Sequence, residues 1–278
     1  MPSKVRKIGP SRGLGLHELA NSGEGRARPD GSFRFQLKFA KEQTEDILLK
    51  LDNLVKNTIH KAPERKKDFC LNRKTNLPLT HEEDKWERAM YLKWGPEGSG
   101  EYVSVCKHLQ TYQYPLQASF KDRWWGKIDL LGIGTDFLPV PNELKGSESG
   151  DSPLRMVVEV AAYGFAIRKV WPNLKDCWVK AVRRFEGSPS QFPATLDKVT
   201  LVGVAPEKYW CRCLGQLPGT KAGAFPSEAW PPFWELVDAF GKWFNIKFVA
   251  IEGRLPTITG ARVLELRSLT LNPGGRHS

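Results

Sequence analysis

The chain is predicted to be an α/β protein (α+β in its chain order), with a central mixed β-sheet flanked by helices. Three observations predict it. Short runs of β-branched and aliphatic residues bounded by Gly, Pro and Ser alternate with longer segments whose apolar residues follow helical spacing. A length of 278 residues is enough to bury a large core. No apolar run reaches the length of a membrane span, and the N-terminal residues lack a hydrophobic signal core. Lys and Arg outnumber Asp and Glu by 42 to 31, which implies a polyanionic partner, with nucleic acid the leading candidate and a merely basic protein the alternative. Five cysteines at irregular spacing (Cys70, Cys106, Cys177, Cys211, Cys213) imply reduced thiols and a cytoplasmic location.

Residues 1–32, rich in Gly, Arg, Lys and Ser, read as a flexible basic arm. Residues 33–79 read as a strand-helix extension: Phe33, Phe35, Leu37 and Phe39 alternate with polar residues, and 42–60 carry the stripe Ile47, Leu48, Leu51, Leu54, Val55, Ile59. A basic connector spans 61–79. The core is expected over 80–255. Thr80 and Glu83 have capping-box spacing, and Gly95-Pro96 stops that helix after Trp94. Segments 101–109 and 116–123 read as strands of a meander leading into 126–133, whose pattern buries Asp129 on one face with Leu131 and Ile133. Residues 137–153, rich in Pro, Gly and Ser, read as a surface loop. Residues 156–162 (Met-Val-Val-Glu-Val-Ala-Ala) read as a second buried strand carrying Glu159. A helix over 174–185, a strand over 198–205, an irregular section 211–230, a helix over 231–244 and a strand over 246–251 follow. The tail 256–278 contains a candidate edge strand at 263–271.

A carboxylate inside an apolar strand is costly unless it is paired, hydrogen-bonded or bound to metal. Two such residues, Asp129 and Glu159, call for a cation. A salt bridge to a core Lys or Arg is the plain alternative.

This order of a helix, a strand, a strand with Asp, a strand with Glu, a helix and a strand resembles the PD-(D/E)xK nuclease superfamily, the restriction-endonuclease-like fold, over about residues 80–205 and extending to about 252. The resemblance implies Mg²⁺ (or Mn²⁺) held by Asp129, Glu159, a helix acid (Glu87, or failing that Glu83) and the main-chain carbonyl of Val160. It implies phosphodiester hydrolysis of nucleic acid, with DNA the expected substrate, by an endo- or exonuclease subunit of a prokaryotic defence (antiviral) or repair system. Any helicase or ATPase would be a separate chain, since no P-loop is present. The family's lysine, two residues past the second acid, falls on Ala161. Three explanations stand: a deliberate Lys-to-Ala change, replacement by Lys127, or decay into a non-catalytic nucleic-acid-binding or assembly subunit on the same scaffold. Arg168, Lys169, Lys180, Arg183 and Arg184 are the expected nucleic-acid contacts, and Trp124 and Trp125 are candidates for base stacking or core packing.

Overall fold

The computed structural model describes residues 14–21, 37–63, 79, 81–116, 125, 127–217 and 224–271. Most of the basic arm (including Lys4, Arg6, Lys7, Arg12, Arg26 and Arg28), most of the 61–79 connector, Thr80, the proposed 116–123 strand beyond Leu116, Cys70 and Trp124 lie outside those residues. The architecture is α/β. Among the described residues, six strands form one mixed sheet in chain order: β1 (His108–Pro115), β2 (Lys127–Ile133), β3 (Pro139–Leu144), β4 (Val199–Pro206), β5 (Phe244–Arg254) and β6 (Thr257–Val263). The pairs β1–β2 and β2–β3 are antiparallel, β3–β4 and β4–β5 parallel, and β5–β6 antiparallel. Parallel pairs need crossovers, and these are the helices α4 (Pro153–Val182) and, between β4 and β5, α5 (Glu207–Cys213) and α6 (Trp230–Phe240).

Helices α1 (Leu16–Asn21), α2 (Leu37–Lys61), α4 and α6 cover one side of the sheet. Their core is aromatic, with Trp171, Trp178, Phe233, Phe240 and Phe244 fully buried. The periodic residues Ile47, Leu51, Leu54 and Val55 of α2 are buried as their spacing requires, whereas Ile59 is exposed. On the other side α3 (Glu82–Trp94) sets Trp86, Met90 and Trp94 against Leu144, Val202 and Val249. α3 starts one residue later than the Thr80/Glu83 spacing predicts: Asp84 accepts the His81 backbone N–H at 3.3 Å, and Gly95 N–H closes the last turn on Tyr91. Of the aromatic residues between 209 and 244, Trp210, Trp230 and Trp234 are buried in the core.

Five elements differ from the sequence expectation. Residues 101–107, read as strand, form turns and an isolated bridge, and the strand is β1 at His108–Pro115. Leu37 to Phe39 begin a helix and not a strand. The edge strand is β6, ending at Val263, with α7 (Leu266–Leu271) occupying most of the stretch read as strand. Residues 139–144, read as loop, are β3. Residues 156–162, read as strand, lie in α4.

The last two have clear causes. β3 contains Pro139 and Pro141, which lack an N–H and belong where no partner needs one. β2 pairs with 139–142 on one side, while β4 pairs only with 142–144 on the other. Lys145 N–H donates to Val204 at 3.0 Å and Leu144 N–H turns the opposite way, so odd-numbered amides face β4. The two prolines thus point at the stretch of edge that β4 never reaches. As for α4, its first two turns are buried on every side, so no helical period marks them. Ser152 is its N-cap, accepting Arg155 N–H at 3.2 Å, with Pro153 at the first helical position.

Candidate functional site

The site gathers at the C-terminal end of β3, where α3 and the start of α4 approach Asp129 of β2. Ile128, Leu131 and Ile133 of β2 enter the α4-side core and Leu130 the α3-side core, and Asp129 lies between Ile128 and Leu130. Asp129 is partly buried and accepts the backbone N–H of Leu144 at 2.7 Å. Flanking Leu144 are Glu143 and Lys145, each only 3 % exposed. From α4, Glu159 closes the cluster. The Lys145 ammonium lies 2.6 Å from Glu143 Oε1, 2.6 Å from Glu159 Oε2 and 3.4 Å from Asp151 Oδ2. Arg155, one turn before Glu159, bonds Glu159 Oε1 at 2.9 Å and Asp151 Oδ1 at 3.0 Å.

Helix α3 supplies the far wall. Glu87 is 4 % exposed and its Oε2 has no hydrogen-bond donor. Glu83 accepts Gly146 N–H at 3.2 Å, and Glu82 accepts Ser147 N–H at 3.0 Å, so the loop after Lys145 is anchored by its own amides. Arg212 of α5 holds the same loop by donating to the carbonyls of Ser147 and Ser149.

Acids outnumber cations here, and the protonation of each group follows. Burial, then the charges of Asp129 and Asp84, push Glu87 up to about 10. Burial raises Asp129 to about 7 against the opposing pull of Lys145 and the Leu144 N–H. Burial, then Asp129, lifts Glu143 well above the carboxylate range. Burial would raise Glu159 too, but Lys145 and Arg155 outweigh it and hold Glu159 at about 2. Lys145 itself is raised despite burial, by Glu143 and Glu159.

The structure corrects the sequence reading of the second acid. Glu159 reaches Lys145 and the neighbourhood of Asp129 from a helix, so it is not followed by a strand position that a lysine could fill. Ala161 is fully buried in α4, and the Val160 carbonyl belongs to the helix ladder. The acid and lysine two residues apart on the strand after Asp129 are Glu143 and Lys145. Both sit in the segment read as loop because of its prolines; the pattern Glu-Leu-Lys, 14 to 16 residues past Asp129, was the available signal. Lys127 is exposed at the rim, its ammonium 3.5 Å from Gln113 Oε1.

The predicted nucleic-acid contacts lie elsewhere. Arg168 Nε donates to the Leu196 carbonyl at 2.7 Å, and Lys169 Nζ to those of Ala62 and His60. Lys180 and Arg183 are exposed, and Arg184 bonds Gln110 at 2.7 Å. Lys180 follows Glu159 by 21 residues, about 30 Å along a helix at ~1.5 Å per residue. Trp125 is buried with its ring stacked on His17 at 3.9 Å, so it is core. His108 stacks on Phe185, away from the cluster.

For a divalent cation the donor chemistry fits. The donors are oxygens, as a hard ion prefers, and the Oε2 atoms of Glu87 and Glu143 are buried without a donor. Among the described residues, however, no three His, Cys, Asp or Glu side chains are drawn together as a bound ion requires. Lys145 occupies the centre instead. No family model matches the chain, and no curated protein or solved structure matches it. Among the described residues, no helix is long and apolar enough to cross a membrane.

Proposed function

We propose that this chain is a divalent-metal-dependent nuclease of the PD-(D/E)xK type, with Asp129, Glu143 and Lys145 as its motif residues. The observation that carries the reading is the junction of β2 and β3. An Asp on one strand is hydrogen-bonded to the amide between an acid and a lysine on the next, and the acid and lysine are almost completely buried. Buried charges at such density are expensive, and groups with strongly shifted protonation held together in this way are candidates for a functional site.

In this reading Asp129, Glu143 and Glu87 offer carboxylate oxygens to Mg²⁺ or Mn²⁺. The Leu144 carbonyl points to the same edge as its N–H, towards Asp129, and offers a fourth. The bound ion would polarise a phosphoryl oxygen and lower the pKa of a coordinated water. The role of Lys145 is to place an ammonium where negative charge develops on the phosphate, which is worth ~10²–10³ in rate for one such donor. Glu159 and Arg155 keep that ammonium from leaving the cluster. The basic excess of the chain supplies attraction for a polyanion. DNA as substrate, a place in prokaryotic defence or repair and a motor on a separate chain belong to the same proposal. The test is cleavage of plasmid and linear DNA in Mg²⁺ or Mn²⁺ by the wild type and by Asp129→Asn and Lys145→Ala. Cutting that needs metal and is lost in both variants supports the reading, and metal-independent or absent cutting rejects it.

A second reading is favoured by the position of Lys145, which already neutralises Glu143 and Glu159. Here the cluster is a structural ion network on a nucleic-acid-binding scaffold, and divalent ions leave the melting temperature unchanged.

A further inference from the structure

Helix α3 presents more than one face. Trp86, Met90 and Trp94 pack on the sheet, and Glu83 and Glu87 belong to the wall of the charged cluster. Helical spacing sets Lys85, Ala89 and Leu92 along another flank, with Arg88 beside them. Facing that flank is the turn Leu255-Pro256 between β5 and β6, followed by Ile258 of β6. An open groove of about 750 Å³ runs between the two. Lys93 ties its walls together, donating from Nζ to the Ile258 carbonyl at 2.8 Å and to the Thr259 carbonyl at 3.0 Å.

The lining is apolar apart from cations. Leu92, which is 55 % exposed, joins Ala89, Leu255, Pro256 and Ile258 to supply the hydrophobic surface. A single exposed leucine needs no explanation, but a contiguous apolar groove of this size falls in the range of binding sites, ~300–1,000 Å³. Lys85, Arg88 and Lys93 are the charged residues of the lining, and no Asp or Glu takes part in it. Lys93 is committed to β6. Among the described residues, the side chains of Lys85 and Arg88 make no ion pair or hydrogen bond.

An occupant complementary to this groove is apolar and anionic. Nucleic acid lacks the apolar part, and no aromatic ring of the lining offers a base a stacking surface. The segments of this chain outside the described residues have the wrong charge: 1–13, 22–36, 64–78, 117–124, 218–223 and 272–278 each carry more Lys and Arg than Asp and Glu. A second copy brings the same net charge of +11 and is repelled as well. A lone acyl chain would leave one side wet in so open a groove, whereas a polypeptide can turn polar residues outward.

We propose that the groove between α3 and the β5–β6 turn docks a segment of a partner protein in which apolar side chains are flanked by Asp or Glu. The apolar side chains fill the space beside Leu92, and the carboxylates meet Lys85 and Arg88 at the rim. Neither metal binding nor cleavage enters this inference.

The probe is a random-peptide phage library selected on the full chain. Enriched sequences should combine aliphatic or aromatic residues with Asp or Glu. The most enriched one, synthesised with a fluorescent label, is then titrated by anisotropy. Its affinity should fall by at least ~10-fold in the double variant Lys85→Glu, Arg88→Glu, and by ~10-fold in Leu92→Gln. Lys85 and Leu92 are exposed and Arg88 half-buried, so both proteins should melt with the wild type. A peptide with its Asp and Glu replaced by Lys should bind the double variant more tightly than the wild type, which a merely unfolded variant could not do. No enrichment, enrichment without acidic residues, or an affinity that the variants leave unchanged overturns the proposal. Phosphatidylglycerol vesicles that bind the wild type through Lys85 and Arg88, and displace the peptide, would assign the groove to a lipid surface and overturn it too.

Discussion

Replacing Lys145 by Ala removes the ammonium that lies 2.6 Å from both Glu143 and Glu159 and 3.4 Å from Asp151. Without metal, two buried carboxyls then lose their shared partner. Breaking a buried pair from one side costs ~3–5 kcal/mol. A second route gives a similar figure. Glu159 is held at about 2 against an ordinary 4.5, which corresponds to roughly 3 kcal/mol of favourable interaction in the folded state. The sign fixes the pH dependence. A carboxyl depressed on folding contributes its stability fully above the unfolded value of 4.5 and loses it as pH falls through about 2. In Lys145→Ala only Arg155 still opposes the burial of that carboxyl, so it takes up a proton more readily and the variant loses less than the wild type on acidification. The deficit of the variant should therefore be about 3–5 kcal/mol at pH 7 and clearly smaller at pH 4.5. Urea unfolding at the two pH values, with unchanged slope, measures it. A deficit under ~1 kcal/mol at pH 7, or one that does not shrink in acid, would refute the account of how these charges are balanced.

His17 is lowered to about 4 by burial against Trp125, so it contributes up to about 3 kcal/mol above pH 6.5 that is lost as pH falls towards 4. His17→Phe keeps the ring stack and should flatten that part of the stability–pH curve, and an unchanged curve contradicts the assignment. A Cβ on Gly164 of α4 would lie 2.7 Å from Phe244 Cε1 and 2.9 Å from Leu201 Cδ2. Gly164→Ala should therefore cost ~1–3 kcal/mol through overpacking and lower the melting temperature by several degrees. The combined variant Lys180→Ala, Arg183→Ala, Arg184→Ala should keep metal-dependent cleavage and DNA affinity within about two-fold, because these residues lie ~30 Å along α4 from Glu159. A large loss would place the nucleic acid on the far end of the helix.

What was legible in the sequence was what periodicity and caps announce. The α3 helix, the Asp129 strand, β4, β5 and α6 all carry either an alternating or a helical pattern with clear ends. The sheet and its flanking helices followed. Two failures shared one cause, the absence of a pattern. The start of α4 is buried almost all round, with Glu159 the one polar residue from Met156 to Ala162, so that stretch shows neither period, and only Ser152-Pro153 signalled a helix start. Prolines hid β3, because their tolerance depends on the pairing with β4 beginning only at Asn142, which no local sequence reveals. Asp129 and Glu87 were readable as buried acids on regular elements. Glu143 and Lys145 were missed because the prolines before them hid the strand, although the Glu-Leu-Lys spacing was there to read. Distance along α4, also invisible locally, removed Lys180, Arg183 and Arg184 from the cluster.

The central claim of the proposal is that a divalent cation can draw the carboxyls of Asp129, Glu143 and Glu87 together in place of the Lys145 ammonium that lies beside Glu143. Direct Mn²⁺ binding, followed by the loss of the electron paramagnetic resonance signal of the free ion, tests it. The account predicts saturable binding to the wild type and a loss of at least ten-fold in affinity in both Asp129→Asn and Glu143→Gln. Binding that is absent from the wild type, or equally strong in the two variants, would contradict it.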